Sequence, residues 1–208
     1  LLTGNSLSAA PPFVQASLVA DTREVAPNAS FRVGVHYTIT PEWHIYGPER
    51  TEIGLPTKID FKLPEGFSVG PLQFPKTTRF NDMGLISFGY EKEVLIFATV
   101  KSPATLQPGA AISLEATTTY LACKVDGQCV PGRDVLTLEL PVGTPTTSQY
   151  EPLFAKYAAQ VPPASAPATQ QTTTSPTLSG ETSSAVFSFQ KEMTDSQPRS
   201  VNRMLLFA

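Results

Sequence analysis

The sequence has little of what several function classes require: it shows no strong excess of either charge, and only two histidines and two cysteines. Its 15 basic and 18 acidic residues give a formal net charge of -3, which argues against a nucleic-acid partner. No uninterrupted apolar run reaches the roughly 18 residues that a membrane-spanning helix needs. Hydrophobic residues nevertheless make up 41% of the chain, which is enough for a core and excludes wholesale disorder.

The strand pattern and an abundance of proline predict an all-β fold. Proline accounts for 20 of 208 residues, a density that disfavours long helices and favours short strands joined by fixed turns. Apolar and polar residues alternate, as in half-buried strands, over residues 31–40, 112–120 and 135–140. The apolar run 94–98 is typical of a central strand, and residues 13–20 supply a first strand. Because helix–strand alternation is absent, we predict an immunoglobulin-like antiparallel β-sandwich of about seven strands.

Composition divides the chain into a folded domain and a polar tail. In residues 161–185, 21 of 25 residues are Pro, Ala, Ser, Thr or Gln, which leaves too little apolar surface to offset the entropy of ordering. This stretch is predicted to be a disordered C-terminal linker. The sandwich domain is expected at residues 13–145, after an N-terminal tail at residues 1–12. Residues 186–208 end in the apolar run 204–208, which we expect either to open a membrane helix of a longer parent protein or to be an ordinary hydrophobic terminus.

One short helix is predicted between the sandwich and the linker, within residues 146–160. Leu153, Phe154 and Tyr157 would share one face of this helix and give it an apolar stripe. Pro152 restricts the positions at which the helix can begin.

The two cysteines, Cys123 and Cys129, are the one constellation with chemical specificity. The five residues between them contain the turn-forming pair Asp126-Gly127, and strand patterns lie on both sides, so the cysteines should face each other across a hairpin. A bridge that closes so short a loop restricts the unfolded chain by only about 2.4 kcal/mol and lies near the surface, within reach of another thiolate. The residues alone leave a structural bridge and a reactive pair equally open.

Other chemistry has weaker support in the sequence. Zinc sites favour two to four residues between paired cysteines and need two further ligands, whereas only His36 and His44 are available here. The chain has no Gly-x-Ser-x-Gly motif, and neither histidine stands in a recognisable cysteine-protease setting. We therefore predict no metal site.

A series of short motifs places the cysteine pair in a family context. In chain order these motifs are Trp43-His44-Ile45-Tyr46, Gly54-Leu55-Pro56-Thr57, Leu63-Pro64-Glu65-Gly66-Phe67, Gly89-Tyr90-Glu91, and Cys123 through Pro131-Gly132. The set, with its Cys-x5-Cys-x-Pro ending, resembles the amino-terminal periplasmic domain of DsbD-type thiol:disulfide interchange proteins. The resemblance covers about residues 13–143.

The resemblance implies a protein-disulfide reductase in which Cys123 and Cys129 are the redox pair. The domain would lie in the periplasm, tethered to the inner membrane by a membrane domain of the same parent protein. It would take electrons from that domain and reduce periplasmic thioredoxin-fold proteins, among them a disulfide isomerase and a cytochrome c maturation thioredoxin. Cys129 would form the mixed disulfide with these partners, and no cofactor would be required.

The resemblance also implies a cap loop that shields the pair when no partner is docked. Chain order places this cap at Phe80, Asp82 and Met83, while His44 and Tyr46 stand where the family has aromatic residues that line the site. Ordinary loop packing, or packing at the rim of the sandwich, would equally account for these residues.

The sequence is also compatible with two functions other than disulfide reduction. One is an immunoglobulin-like binding module whose bridge is purely structural. The other is a metal chaperone that uses Cys123, Cys129 and His44. The redox potential of the pair would separate these functions from electron transfer.

Overall fold

Ten strands and one helix make up the part of the chain that the structure, a computed structural model, describes: residues 13–49, 53–82, 84–124 and 127–163. The predicted N-terminal tail, the linker beyond residue 163 and residues 186–208 lie outside these ranges. In chain order the elements are β1 Val14–Ala20, β2 Ser30–Ile39, β3 Trp43–Tyr46, β4 Lys58–Lys62, β5 Ser68–Val69, β6 Thr78–Asp82, β7 Leu85–Glu91, β8 Glu93–Lys101, β9 Ala111–Lys124, β10 Cys129–Pro141 and α1 Glu151–Ala158.

The strands form two antiparallel sheets of a sandwich. The first sheet has the strand order β1-β2-β8-β5, and the second has the order β10-β9-β3-β7-β6, with β4 also paired to β9. The predicted all-β, immunoglobulin-like antiparallel sandwich is therefore confirmed. The described residues contain ten strands where the sequence predicted about seven, because β3, β5 and β6 are too short to display a clear alternation.

The core lies between the two sheets and follows the alternation of the long strands. Along β9, Leu114 and Ala116 point into the core and are fully buried, whereas their odd-numbered neighbours lie on the outer face. In the first sheet, Val33 and Val35 of β2 are also fully buried. The run 94–98 is buried on both faces of β8, which lies between β2 and β5 as a central strand.

Helix α1 explains why β8 is buried on its outer face as well. Phe154 is 0% exposed, and its ring centroid lies 5.7 Å from that of Phe97 in an edge-to-face arrangement. The Tyr157 hydroxyl donates to the carbonyl oxygen of Glu93 at 2.7 Å, and Lys156 Nζ donates to Glu93 Oε2 at 2.7 Å. The helix lies within the predicted segment and packs on the first sheet. In the described ranges no helix has the length and apolar character needed to cross a membrane.

Candidate functional site

Cys123 and Cys129 are joined by a disulfide at the turn end of the β9–β10 hairpin. Their Cα atoms lie 4.1 Å apart. The N–H of Lys124 donates to the carbonyl oxygen of Gln128 at 2.8 Å, so the adjacent Cys123–Cys129 position is a non-hydrogen-bonded pair, the place where opposed side chains come closest. Gly127 supports the turn with a φ of 92°, a conformation that glycine adopts without steric cost. The hairpin itself therefore brings the two sulfurs together.

The two cysteines differ sharply in their exposure. Alternation along β9 points Ala122 into the core and Cys123 onto the outer face of the sheet. Cys123 is nevertheless 0% exposed, whereas Cys129 is exposed to solvent. Of the two cysteines, only Cys129 therefore presents surface to another molecule.

Four side chains form a row across the second sheet. The register pairs Cys129 with Cys123, Cys123 with His44, and His44 with Glu91. Directly opposed residues of antiparallel strands point to the same face, with Cβ atoms about 4.5–5.5 Å apart. The disulfide, an imidazole and a carboxylate therefore lie on one face, in successive strands.

Side chains from two other segments cover this face around His44. The Phe80 ring stacks on the imidazole with centroids 4.5 Å apart, and Tyr46 meets it edge-on at 5.1 Å. His44 and Tyr46 are each 1% exposed although both lie outside the main core cluster. The hydroxyl of Thr57 donates to the Tyr46 carbonyl oxygen at 2.7 Å, and a Cβ at Gly54 would lie 2.4 Å from the Tyr46 ring. The outer face at the disulfide is thus a second, smaller packed region.

Five residues were predicted to cap or line the site, and the structure places three of them on the face of the sheet that carries the disulfide. His44 and Tyr46 lie on β3. Phe80 lies on β6, directly opposite the buried Ser87 of β7. The predicted cap begins as a strand rather than a loop, because residues 78–82 pair with β7. Asp82 is the last residue of β6.

Met83 lies outside the described residues, so the structure places only the first part of the predicted cap. The sequence assigns no role to Glu91, which occurs there only within one of the family motifs. Its position opposite His44 depends on the pairing of β3 with β7.

A buried tyrosine–aspartate pair lies on the inner face of the same hairpin. The Tyr120 hydroxyl donates to Asp134 Oδ2 at 3.0 Å, and Asp134 is 2% exposed. Burial, and next the negative charge of Asp134, raise the pKa of Tyr120 far above its usual value, so the hydroxyl stays protonated as a donor. Tyr120 is paired with Gly132, where a Cβ would lie 2.3 Å from the tyrosine ring. The hydrogen bond between Tyr120 and Asp134 thus joins β9 to β10 a few residues from the disulfide, on the opposite face of the sheet.

A groove of about 520 Å³ lies on the outer face beside β10. It is lined by Leu55, which is 62% exposed, and by Pro131 and Arg133. Residues two and four positions after Cys129 share its face of the strand, so the groove and the exposed sulfur are presented on the same surface. Over the described residues, no group of three or more His, Cys, Asp and Glu side chains could hold a metal ion.

Reduction of the disulfide is expected to lower the free energy of unfolding by no more than about 2.4 kcal/mol, the loop-entropy value for a seven-residue loop. The reason is that the disulfide lies outside the main core cluster, which is complete without it. The melting temperature measured by circular dichroism should fall by less than about 10 °C when dithiothreitol is added. A variant with Cys123→Ala and Cys129→Ala serves as the control, since dithiothreitol should leave its transition unchanged. A fall of tens of degrees in the wild-type protein would instead identify a structural staple.

The fold and the disulfide together define a class of protein, the immunoglobulin-like sandwich domains with a cysteine pair across a hairpin. The chain belongs to the family described as "Thiol:disulfide interchange protein DsbD, N-terminal", which matches residues 15–141. The family predicted from the sequence motifs is therefore confirmed.

Two solved structures are similar to this chain. One is the N-terminal periplasmic domain of ScsB from Proteus mirabilis, with 19% identity and a TM-score of 0.53, where the match covers 73% of this chain and 56% of that one. The other is the Neisseria meningitidis DsbD N-terminal domain in the reduced form, with 19% identity and a TM-score of 0.38. That match covers 68% of this chain and 96% of the other. The chain thus spans little more than half of the ScsB domain, and that likeness supports the fold. No curated protein sequence matches the chain.

Proposed function

We propose that this domain is a periplasmic protein-disulfide reductase module whose redox pair is Cys123 and Cys129. The observation that carries the proposal is the unequal exposure of the pair, with Cys129 open to solvent and Cys123 fully buried. An exchange reaction needs one sulfur that a partner can reach and a second that acts within the molecule. Membership of the family supports thiol-disulfide exchange in general.

The reaction proceeds in two exchange steps. In the reduced domain the Cys129 thiolate attacks one sulfur of the partner disulfide, forming a mixed disulfide and releasing the other partner sulfur as a thiolate. The Cys123 thiolate then attacks the Cys129 sulfur, closes the disulfide seen in the structure and releases the partner as a dithiol. Two electrons pass from the cysteine pair to the partner, and the reaction needs no cofactor.

The proposed partners are periplasmic thioredoxin-fold proteins, including a disulfide isomerase and a cytochrome c maturation thioredoxin. The proposed electron source is a membrane domain of the same parent protein, which would tether the module to the inner membrane. The resemblance of the sequence motifs to DsbD-type proteins supports both assignments, and family membership agrees with them. The groove beside Cys129, with exposed Leu55 and the cation of Arg133, offers a surface on which such a partner can rest.

Phe80 is proposed as the cap that limits access to the pair, together with Asp82 and Met83. The support for this role is the stacking of Phe80 on His44, the residue directly opposite Cys123. A partner that displaces the Phe80 ring would open the outer face toward the buried cysteine.

The redox potential of the pair tests the proposed function. The protein is equilibrated in dithiothreitol or glutathione buffers, and the dithiol fraction is measured by alkylation and mass spectrometry. A carrier of electrons between thiol proteins should show a potential between about -180 and -280 mV, in the range of the thioredoxin-like carriers. A potential well below about -300 mV would show a structural bridge and contradict the proposal.

A further inference from the structure

We propose that His44 is the proton acceptor for the buried thiol of the reduced pair, and that it takes the Cys123 proton when Cys123 resolves a mixed disulfide at Cys129. This inference rests on the proposed function, because it uses the roles assigned there to the two cysteines. His44, whose side chain was predicted only to line the site, thereby gains a part in the reaction.

The need for such an acceptor follows from the burial of Cys123. Only the thiolate is nucleophilic, and burial disfavours the charged form of a thiol. Cys123 is 0% exposed even without a partner. A partner bound at Cys129 excludes still more water from this face. The proton of Cys123 therefore has to pass to a neighbouring side chain.

His44 is in the position to receive that proton. It lies directly opposite Cys123 in the β3–β9 pair and on the same face. Imidazole is the side chain that exchanges a proton most readily near neutral pH. The imidazole is 1% exposed and fixed between the Phe80 ring and the edge of Tyr46. The packing thus holds the imidazole on this face of the sheet before a partner arrives.

The charged groups nearest His44 along the sheet form two pairs of opposite sign, so neither side strongly opposes a temporary positive charge there. Glu91 lies opposite it on β7, and the carboxylate of Glu91 contacts Lys92 Nζ at 3.6 Å. On the β9 side, Lys124 Nζ lies 3.7 Å from the Glu42 carboxylate, which partly offsets that cation. The contacts from β6 and from β3 itself are the aromatic rings of Phe80 and Tyr46.

The proposed step balances in protons and electrons. The Cys123 S–H bond breaks and its proton moves to the imidazole of His44. The resulting thiolate attacks the Cys129 sulfur, the bond between Cys129 and the partner breaks, and the electron pair of that bond leaves on the partner sulfur. The imidazolium then returns its proton to the departing thiolate or to solvent. In the net reaction the domain dithiol becomes a disulfide and the partner disulfide becomes a dithiol.

The test follows one turnover of the reduced full chain with oxidised glutathione, which replaces the partner protein. Samples are quenched with acid, and mass spectrometry gives the rates at which the glutathione mixed disulfide forms and is resolved from about pH 5.5 to 9. Because only the neutral imidazole can accept the proton, we expect wild-type resolution to be faster above the protonation midpoint of His44 than below it. His44→Phe preserves a ring to stack on Phe80, and it should slow resolution near pH 7 on the order of tenfold to a hundredfold. Its resolution should recover only at the alkaline end of this range, where the thiol ionises without an acceptor, and formation at Cys129 should be unchanged.

The matched control is His36→Gln. His36 lies on β2 in the other sheet, where Nε2 lies 3.1 Å from the Glu93 carboxylate, so its loss should leave both rates as in the wild type. A His44→Phe protein that keeps the wild-type resolution rate and pH profile would overturn the proposal. Equal slowing of formation and resolution would also overturn it, since that pattern indicates only a packing role.

A measurement on the wild-type protein does not depend on the folding of any variant. The protonation midpoint of His44, followed by NMR, should differ between the dithiol and disulfide states. Identical midpoints in both redox states would overturn the proposal. The outcome stays distinct from that of the proposed function, because glutathione reports on His44 even where no thioredoxin-fold protein is reduced.

Discussion

The Cys123→Ser variant is expected to accumulate as a mixed disulfide with an oxidised thioredoxin-fold protein, to the point where most of the domain is trapped. Cys129 keeps its exposed sulfur and can still attack, but the sulfur that resolves the intermediate is gone. In the wild-type protein the same intermediate should be too short-lived to detect on a non-reducing gel. Non-reducing electrophoresis and mass spectrometry of the covalent complex give the trapped fraction.

Cys129→Ser is the matched control, because it leaves the buried sulfur as the only thiol. Cys123 is fully covered, so this variant should trap little or none of the partner. Equal trapping by the two variants would contradict the assignment of Cys129 as the attacking residue. If neither variant traps any member of a panel of periplasmic thiol proteins, the electron-transfer function itself is wrong.

Phe154→Ala is expected to lower the free energy of unfolding by about 3–5 kcal/mol, the usual loss when a buried phenylalanine is truncated. The ring is fully buried, contacts Phe97 and lies under the guanidinium of Arg32 at 5.2 Å. Its loss removes the main apolar anchor of α1 and exposes the outer face of β8. Chemical denaturation followed by fluorescence or circular dichroism measures the change.

Lys156→Ala is the comparison for that variant, because it removes a contact of the same helix at the surface. The hydrogen bond from Lys156 lowers the pKa of Glu93, so this contribution is present at neutral pH and is lost on acidification through the carboxyl range. Both groups are partly exposed, and the cost should be below about 1 kcal/mol. If Phe154→Ala costs no more than Lys156→Ala, the helix does not contribute to the core.

The sequence predicted the long strands well, because their alternation reflects burial on one side. The run 94–98 was correctly interpreted as a central strand from its continuous apolar character. β3 was not predicted because all four of its residues are buried. The two on the outer face of the sheet, His44 and Tyr46, are covered by β6 and by the loop before β4. A covered outer face erases the polar half of the alternation, and the strand then looks like any short apolar stretch.

The candidate site was only partly predictable for a related reason. The hairpin that joins Cys123 to Cys129 is local, so the spacing and the Asp-Gly turn were enough to place the cysteines opposite each other. The alignment of Cys123 with His44 and Glu91 depends on strands that are 30 to 80 residues apart in the chain. Such register is determined by the whole sheet and leaves no sign in any local pattern.

The docking of α1 also determines where the folded domain can be separated from the residues that follow it. The family match ends at residue 141, and a fragment cloned to that boundary would lack the helix entirely. The side chains of Leu95 and Phe97, which are now covered, would become part of a water-facing apolar patch, a surface that favours aggregation. An independently folding piece therefore has to include α1 and to extend at least through Gln160, whose carbonyl oxygen accepts a hydrogen bond from the Lys76 N–H.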